Sequence, residues 1–249
     1  MNVNERKRKI LAFLAETSDI PVSKISELLK VSVVTIRSDL NSLASEGLLA
    51  RTHGGALPAF HQSILDRQKK MVEEKHRIAR VAAEQVNDGD KIMIIAGTTV
   101  VLMTKYLLGK RDVHIVTNST LIFPYARMNP SIHVTFVGGE FKPSAEGTVG
   151  VLALKELEQF HVKTAFLGAD GFSLKTGITA DLLENAEVGR KMAEHSDKCV
   201  LLADSSKYGR AGFAQIVPIS RMDLIITDNK LAKKELELLK ENGLSVMAV

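Results

Sequence analysis

The sequence predicts an α/β protein made of a small helical unit followed by a larger unit around a mainly parallel sheet. Three segments with helical apolar spacing and a hairpin pattern occupy the first 56 residues. From Glu74 to Asp228, short apolar runs alternate with amphipathic stretches, as in a parallel sheet with crossover helices. The 249 residues, 45% of them hydrophobic, are enough for two separate cores.

Composition excludes several classes of protein before any motif is considered. Lys plus Arg number 33 and Asp plus Glu 29, and this net charge of +4 is too small to indicate a nucleic-acid or membrane partner by itself. The single cysteine, Cys199, stands beside an apolar run and is expected to be buried rather than catalytic. Residues 1–9 are polar and basic, and no apolar stretch reaches about 20 residues, so we expect a cytoplasmic protein without membrane contact.

The first 56 residues are typical of a winged helix-turn-helix. Apolar residues over 10–14 predict one helix, and a second helix follows Pro21 over 23–29. Ser32 is the expected N-cap of a third helix, which ends before Gly47. Residues 48–56 then form a hairpin with Gly54-Gly55 at its tip.

The third helix has an outward face suited to a DNA major groove. Burying Ile36, Leu40 and Leu43, which recur at i, i+4 and i+7, turns polar side chains toward solvent. An ordinary solvated face of a helical bundle is the alternative, because surface Ser, Thr and Asn need no ligand. The candidate DNA-binding residues are Ser32, Val33, Thr35, Arg37, Ser38, Asn41, Arg51 and His53.

Composition changes divide the chain into a DNA-binding domain over 1–56, a partly helical linker over 57–74 and a larger domain over 75–249. A Lys- and Leu-rich helix over 230–240 is expected near the end of the larger domain. The predicted strands of the larger domain are Lys91 to Ala96, Val113 to Thr117, His133 to Val137, Thr164 to Leu167, Cys199 to Ala203, Leu224 to Thr227 and Leu244 to Val249.

Small polar residues follow most of these strands, where parallel sheets carry their chemistry. Free amides and hydroxyls at the start of a helix would suit a phosphate, whereas carboxylates and a lysine would suit the hydroxyls of a polyol. Capping and turn formation are the alternative for each residue. The candidate effector-binding residues are Gly97, Thr98, Thr99, Thr117, Asn118, Ser119, Gly138, Gly139, Asp170, Gly171, Asp204 and Lys207.

Neither a metal site nor a catalytic set is predicted. No dinucleotide-binding or Walker glycine pattern occurs, and no Ser-His-Asp set can be identified. The histidines are scattered without the spacing of metal ligands, at His53, His61, His76, His114, His133, His161 and His195.

Nearly the whole chain resembles the DeoR family of bacterial transcription regulators. The resemblance lies in VTIRSDL at 34–40, EGLL at 46–49 and RTHGGA at 51–56, and in the strand-end segments at 97–99, 117–119, 138–139, 168–171, 177–179 and 204–207. It implies an effector domain related in fold to sugar-phosphate isomerases. It also implies a repressor of sugar or polyol operons, without a cofactor, that releases operator DNA when a phosphorylated intermediate binds.

Five positions depart from the family pattern. Ser38 stands where an Arg is usual, and Lys142, which the resemblance places in the effector site, stands where Arg is common. Ile95 replaces a common acidic residue, Asn185 a frequent Glu and Gly189 a frequent Lys. The resemblance therefore implies an altered recognition of ligand hydroxyls.

Three functions stay open on the sequence alone. The first is a repressor acting as a dimer or tetramer, because one winged helix reads only one half-site. The second is an isomerase-like enzyme with a DNA-binding appendage, which would use Asp170, Glu184, Glu187 and Asp204. The third is an architectural DNA-binding protein whose larger domain only oligomerises.

Overall fold

A computed structural model describes residues 2–16, 20–46, 48–51, 56–58 and 61–249. Its backbone divides into two units, Met1–Arg67 and Gln68–Val249. Three parts of the sequence prediction lie outside the described residues: the helix stop at Gly47, the hairpin tip at Gly54-Gly55, and His53.

The first unit is the predicted winged helix-turn-helix. Its helices are α1 (Val3–Glu16), α2 (Val22–Leu29) and α3 (Val33–Ser45), and β1 (Leu49–Arg51) pairs antiparallel with β2 (Ala56–Pro58). The apolar positions that predicted the helices form its core. Fully buried side chains are Ile10, Leu14, Ile25, Ile36, Leu40 and Leu43.

The predicted linker contains helices. Helix α4 (Gln62–Lys69) crosses the division between the units, and α5 (Val72–Glu84) belongs to the second unit. The remaining elements are, in chain order, β3 (Lys91–Ile94), β4 (Val113–Thr117), α6 (Phe123–Ala126), β5 (Ile132–Phe136), β6 (Glu140–Lys142), β7 (Gly147–Val149), α7 (Val151–Leu157), β8 (Val162–Leu167), β9 (Gly171–Ser173), β10 (Gly177–Ala180), α8 (Leu183–Glu194), β11 (Ser196–Leu202), β12 (Ala214–Val217), β13 (Leu224–Thr227), α9 (Lys233–Glu241) and β14 (Val246–Ala248).

The second unit is built on a seven-stranded sheet in the order β14-β13-β11-β8-β3-β4-β5, and every neighbouring pair is parallel. These are the seven strands that the sequence predicted, with ends shifted by up to three residues, as where β11 begins at Ser196 instead of Cys199. Cys199 is buried, and its burial raises the pKa of the thiol. Among the described residues, no helix is long and apolar enough to cross a membrane.

Antiparallel pieces are the main addition to the prediction. Strands β6 and β7 form a hairpin, and β9, β10 and β12 form a separate sheet in the order β12-β10-β9. Each of these strands has only three or four residues. Segments that short cannot display a period of two, so these strands could not be predicted from apolar alternation.

The stretch after the first strand of this unit corrects a second expectation. The sequence predicts a helix beginning at Gly97-Thr98-Thr99, but the chain forms a turn there and then a 3₁₀ helix over Val101–Leu107. Val101, Thr104 and Leu107 are buried, and their spacing of three matches the three residues per turn of a 3₁₀ helix. A long α-helix dipole is therefore not available to an anion at this loop.

Candidate functional site

Helix α3 presents the outward face that the sequence predicted. Ile36 and Leu40 are fully buried, whereas Arg37, Ser38 and Asn41 are exposed. Buried residues fix the rotation of the helix, so the three polar side chains share the opposite surface. An arginine and an amide at these positions can reach phosphates or base edges.

The beginning of α3 is closed by its own side chains. The Ser32 hydroxyl accepts a hydrogen bond from the Thr35 amide at 3.1 Å and lies 2.9 Å from the Thr35 hydroxyl, which confirms Ser32 as the N-cap. Val33 was predicted to face outward, but it is half-buried against the core of this unit. Val34 is the valine with an exposed side chain, at 74%.

Arg51 joins the wing, which is the strand pair β1–β2, to helix α3. Its guanidinium donates to the Asn41 side-chain oxygen at 2.8 Å and to the Arg37 carbonyl at 3.4 Å. The structure therefore brings together three residues that the sequence named separately as DNA contacts.

Two ion pairs between α1 and α3 were missed by the sequence analysis. The Arg6 guanidinium donates two hydrogen bonds to the buried Asp39 carboxylate, which raises the pKa of Arg6. The Lys7 ammonium donates to Glu46 at 2.6 Å and lowers the pKa of that carboxyl. These pairs hold α1 against the side of α3 that faces away from the exposed Arg37.

The second candidate site lies beside β3, where the order in which strands are added to the sheet reverses. From β3 the chain adds β4 and then β5 on one side, and it later places β8 on the other side of β3. The loops after β3 and β8 therefore diverge at the carboxyl edge, which is where open α/β sheets bind ligands.

The loop after β3 is open to an anion. Gly97, Thr98 and Thr99 are partly exposed, and within the described residues nothing accepts a hydrogen bond from their amides. The ammonium of Lys75, a residue only 6% exposed, donates to the Thr98 hydroxyl at 3.5 Å. Lys75 was not predicted from the sequence, because it lies in the charged first turns of α5 among other polar residues.

The side chains of the loop after β4 are buried and hydrogen-bonded within the protein. Thr117, Asn118 and Ser119 are at most 1% exposed. Their side chains form hydrogen bonds with other protein groups. Thr117 donates to the Ile94 carbonyl at 2.6 Å, and the Asn118 amide donates to the Thr148 carbonyl at 2.9 Å. These side chains hold neighbouring loops in place. Contact of Thr117, Asn118 and Ser119 with an effector stays a prediction.

Packing requires glycine at positions 139 and 171, whereas Gly138 takes part through its backbone. The Gly138 amide donates to Glu156 at 2.7 Å. Gly139 has φ +141°, and a Cβ there would lie 2.6 Å from the Val149 carbonyl oxygen. Gly171 is similar, since a Cβ would lie 2.3 Å from the Arg210 carbonyl oxygen.

Charged residues from separate elements of the larger unit form pairs. The Lys142 ammonium lies 2.7 Å from Glu184, which raises the pKa of the lysine and lowers that of the glutamate. The Lys207 ammonium lies 4.0 Å from an Asp170 oxygen, so the loops after β8 and β11 are neighbours.

Asp204 caps the 3₁₀ helix over Ser205–Lys207, as the alternative interpretation of this residue predicted. It is 2% exposed, and its carboxylate accepts hydrogen bonds from the Ser206 amide, at 3.2 Å, and from the Ser206 hydroxyl. Asp228, which the sequence analysis missed, is fully buried and accepts from the Ser205 amide at 2.6 Å and from the Lys230 amide at 3.0 Å. Both carboxylates shape the loop that carries Lys207.

Comparison with known families agrees with this two-part arrangement. Residues 6–59 match the DeoR-like helix-turn-helix domain, and residues 70–229 match the DeoR C terminal sensor domain. The chain belongs to the DeoR family. It is therefore a DNA-binding transcription regulator with a sensor domain.

Relatives align over almost the entire DeoR-family chain. It is 34% identical over 251 residues to the HTH-type transcriptional repressor GlcR of Bacillus subtilis, covering 99% of this chain and 96% of the relative. The HTH-type transcriptional regulator GolR of Listeria innocua is 31% identical, with 97% of each chain covered. The glycerol-3-phosphate regulon repressor of Escherichia coli is 30% identical, with 92% of each covered.

Solved structures resemble this DeoR-family chain more weakly. Ribose 5-phosphate isomerase A of Methanocaldococcus jannaschii gives a TM-score of 0.39 at 20% identity, covering 54% of this chain and 53% of that one. A transcriptional regulator of Streptococcus pneumoniae gives 0.41 at 16%, covering 68% and 86%. These low scores carry no functional argument.

Two departures from the DeoR pattern meet in space. A Cβ on Gly189 would lie 2.8 Å from Ile216 Cγ2 and 3.1 Å from Ile95 Cδ1. Ile95 therefore packs against α8 at Gly189, where the helix has no side chain. The contact is apolar at two positions where the sequence resemblance implied an acid and a lysine. Another departure from the family pattern, Asn185, has a buried side-chain oxygen without a hydrogen-bond partner among the described residues.

Proposed function

We propose that this regulator represses a carbohydrate or polyol operon and leaves its operator when a phosphorylated sugar or polyol binds the carboxyl edge of the sheet. The observation that carries the proposal is the loop over 97–99. It offers three amides that have no hydrogen-bond partner in the described part of the chain, beside the buried ammonium of Lys75, in a chain that also has a DNA-binding helix-turn-helix. Amides and a cation are the usual partners of a phosphate.

The proposed DNA contacts are centred on Arg37. Its guanidinium is exposed and has no partner among the described residues, so it is available to a guanine edge or a phosphate. Ser38, Asn41 and Arg51 flank it, and Asn41 and Arg51 act as one unit through their hydrogen bond. Ser32 and Thr35 complete the proposed surface at the start of the helix, and His53, which lies outside the described residues, stays a DNA contact predicted from the sequence.

The proposed effector lies with its phosphate against Gly97, Thr98 and Thr99 and with its hydroxyls toward Asp170 and Lys207. The ligand lowers DNA affinity only to the extent that it prefers the arrangement that cannot bind DNA, a typical coupling of about 1–3 kcal/mol. A homodimer or tetramer supplies the second half-site reader.

The isomerase alternative is not favoured. The curated relatives described above are named as regulators or repressors. The Asp204 carboxylate, one of the candidate bases, is held by Ser206.

Binding to DNA duplexes recovered by selection from a random pool tests the reading surface. Arg37→Ala is expected to weaken binding by about 5- to 150-fold at fixed salt, which corresponds to about 1–3 kcal/mol for a bidentate base contact. Arg111→Ala, which removes the same charge from an exposed site on the larger unit, is the matched control and should bind normally. Equal affinities of Arg37→Ala and the control would contradict the assignment.

The variant Arg37→Lys distinguishes a contact with a base from a contact with a phosphate. Lysine keeps the charge but cannot form the two parallel hydrogen bonds of the guanidinium. Loss of sequence preference in this variant indicates base reading, whereas unchanged preference with normal affinity indicates a phosphate contact.

A panel of pentose, hexose and polyol phosphates, with inorganic phosphate and the unphosphorylated compounds as controls, tests the sensor. An effector should raise the melting temperature and weaken DNA binding together. Lys207→Ala should reduce both effects without changing DNA binding in the absence of ligand. A panel that changes neither quantity would contradict the proposed release mechanism.

A further inference from the structure

Two histidines that are distant in sequence stand side by side at the amino-terminal edge of the sheet. His114 in β4 and His133 in β5 are partners in the parallel register, so their side chains lie on one face. Their ring centroids are 4.5 Å apart, with an angle of 31° between the planes. Sequence spacing could not indicate this pair, because the 19-residue separation has meaning only once the strands are aligned.

Asp112, immediately before β4, completes a group of three ligand-type side chains. One of its carboxylate oxygens lies 3.5 Å from Nε2 of His114 and 3.5 Å from Nε2 of His133. Asp112 has φ +56°, in the left-handed region that residues other than glycine rarely adopt. Such backbone conformations tend to persist where the position of a side chain matters.

We propose that Asp112, His114 and His133 bind a divalent first-row transition metal ion, with Zn²⁺ the best match. Zn²⁺ bonds of about 2.0–2.2 Å in a tetrahedron separate neighbouring ligand atoms by about 3.3–3.5 Å. Both carboxylate-to-imidazole distances already have this value. All three ligand atoms lie within 4.8 Å of one another, and because the side chains are exposed they can close the remaining distance by rotation.

The carboxylate contacts of this group are longer than the contact in a directly hydrogen-bonded His–Asp pair. His161 and Asp197, another exposed pair, form a direct hydrogen bond of 2.7 Å. In the group of three, both contacts of the carboxylate are too long for hydrogen bonds, yet all three side chains converge. That is the spacing that an ion between them would produce.

Nearby charges set the class and strength of binding. Lys91 is the register partner of His114 on β3, and Arg111, next to Asp112, is paired with Asp88. A single carboxylate does not suit Ca²⁺ or Mg²⁺, which require several oxygen ligands. Two imidazoles suit Zn²⁺, Ni²⁺ or Cu²⁺, and the neighbouring positive charge limits the affinity.

The site lies at the opposite edge of the sheet from the loop over 97–99, so it stands independently of the proposed sugar-phosphate response. Strand β4 begins next to Asp112 and ends at Thr117, which separates the two edges by about 15 Å at the usual rise per residue.

Calorimetric titration of the untagged full-length chain with ZnCl₂, with NiCl₂ and MgCl₂ in parallel, tests the proposal. The wild-type chain should bind one Zn²⁺ or Ni²⁺ that His114→Gln and His133→Gln each bind about tenfold or more weakly, and should bind no Mg²⁺ at this site. Asp112→Asn, which tolerates the left-handed backbone, should show a smaller loss. Acidification should weaken binding, because imidazole ligands must be neutral.

His161→Gln is the matched control, since it removes an exposed histidine from another His–Asp pair, and it should bind as the wild type does. Circular dichroism checks that all variants are folded, which is expected because the substituted side chains are exposed. Wild-type and double His114→Gln/His133→Gln chains with the same stoichiometry and affinity would overturn the proposal, as would an equal loss in the control.

Discussion

Replacing Gly189 by alanine tests the apolar contact beneath the sensor edge. Alanine in a helix interior is about 1 kcal/mol more favourable than glycine. Its methyl group would however lie 2.8 Å from Ile216 and 3.1 Å from Ile95, and overpacking of a core costs about 1–3 kcal/mol. We therefore expect Gly189→Ala to leave stability unchanged at best and to lower it by about 2 kcal/mol at worst.

Urea unfolding followed by tyrosine fluorescence measures this change in the larger unit alone. The chain has no tryptophan, and its three tyrosines, at 106, 125 and 208, all lie in that unit. Ile95→Val removes the Cδ1 atom that crowds position 189, so the double variant should lose less stability than the two single losses added together. Stabilisation by the full 1 kcal/mol in Gly189→Ala, with additive effects in the double variant, would refute this account of the packing.

Two further predictions concern carboxylates of the same unit. Asp228→Asn replaces one of two accepting oxygens by a donor NH2 group, so that the amide of either Ser205 or Lys230 loses its acceptor, and it should lower the unfolding free energy by about 1–3 kcal/mol; urea midpoints equal to the wild type would contradict it. The lowered pKa of Glu184 means that its pairing with Lys142 stabilises the fold above the ordinary glutamate pKa and is lost as the pH falls through the lowered value. Stability measured against pH should therefore fall less steeply with acid in Glu184→Gln, and identical acid profiles would count against the pairing.

Local patterns predicted the helices and the parallel strands correctly because their information lies within a few residues. Ile36 and Leu40 are buried as their spacing requires, and Ser32 caps the helix that follows it. The same reasoning found the strand ends as the place where small polar residues gather. It could not tell which hydroxyls face a ligand, and the Thr117 hydroxyl donates to the neighbouring strand.

Contacts between distant segments account for what the sequence did not predict. In the sequence, Asp39 cannot be told from the other polar residues of α3. Its role as an ion-pair partner depends on Arg6, which lies 33 positions earlier in the chain. Lys75 becomes a candidate phosphate ligand only because α5 brings it to Thr98. The register of β4 and β5 likewise decides whether His114 and His133 are two isolated histidines or a pair.

The hydrogen bond between Arg51 and Asn41 has a consequence for the evolution and redesign of operator preference. A change at position 41 alone leaves Arg51 without its Asn41 partner, and a change at position 51 alone leaves the Asn41 side chain without its donor, so either step alters both of the proposed DNA contacts. Descendants that acquire a new target sequence should therefore exchange both residues as a couple. Libraries built to retarget this regulator will succeed more often when the two codons are randomised jointly.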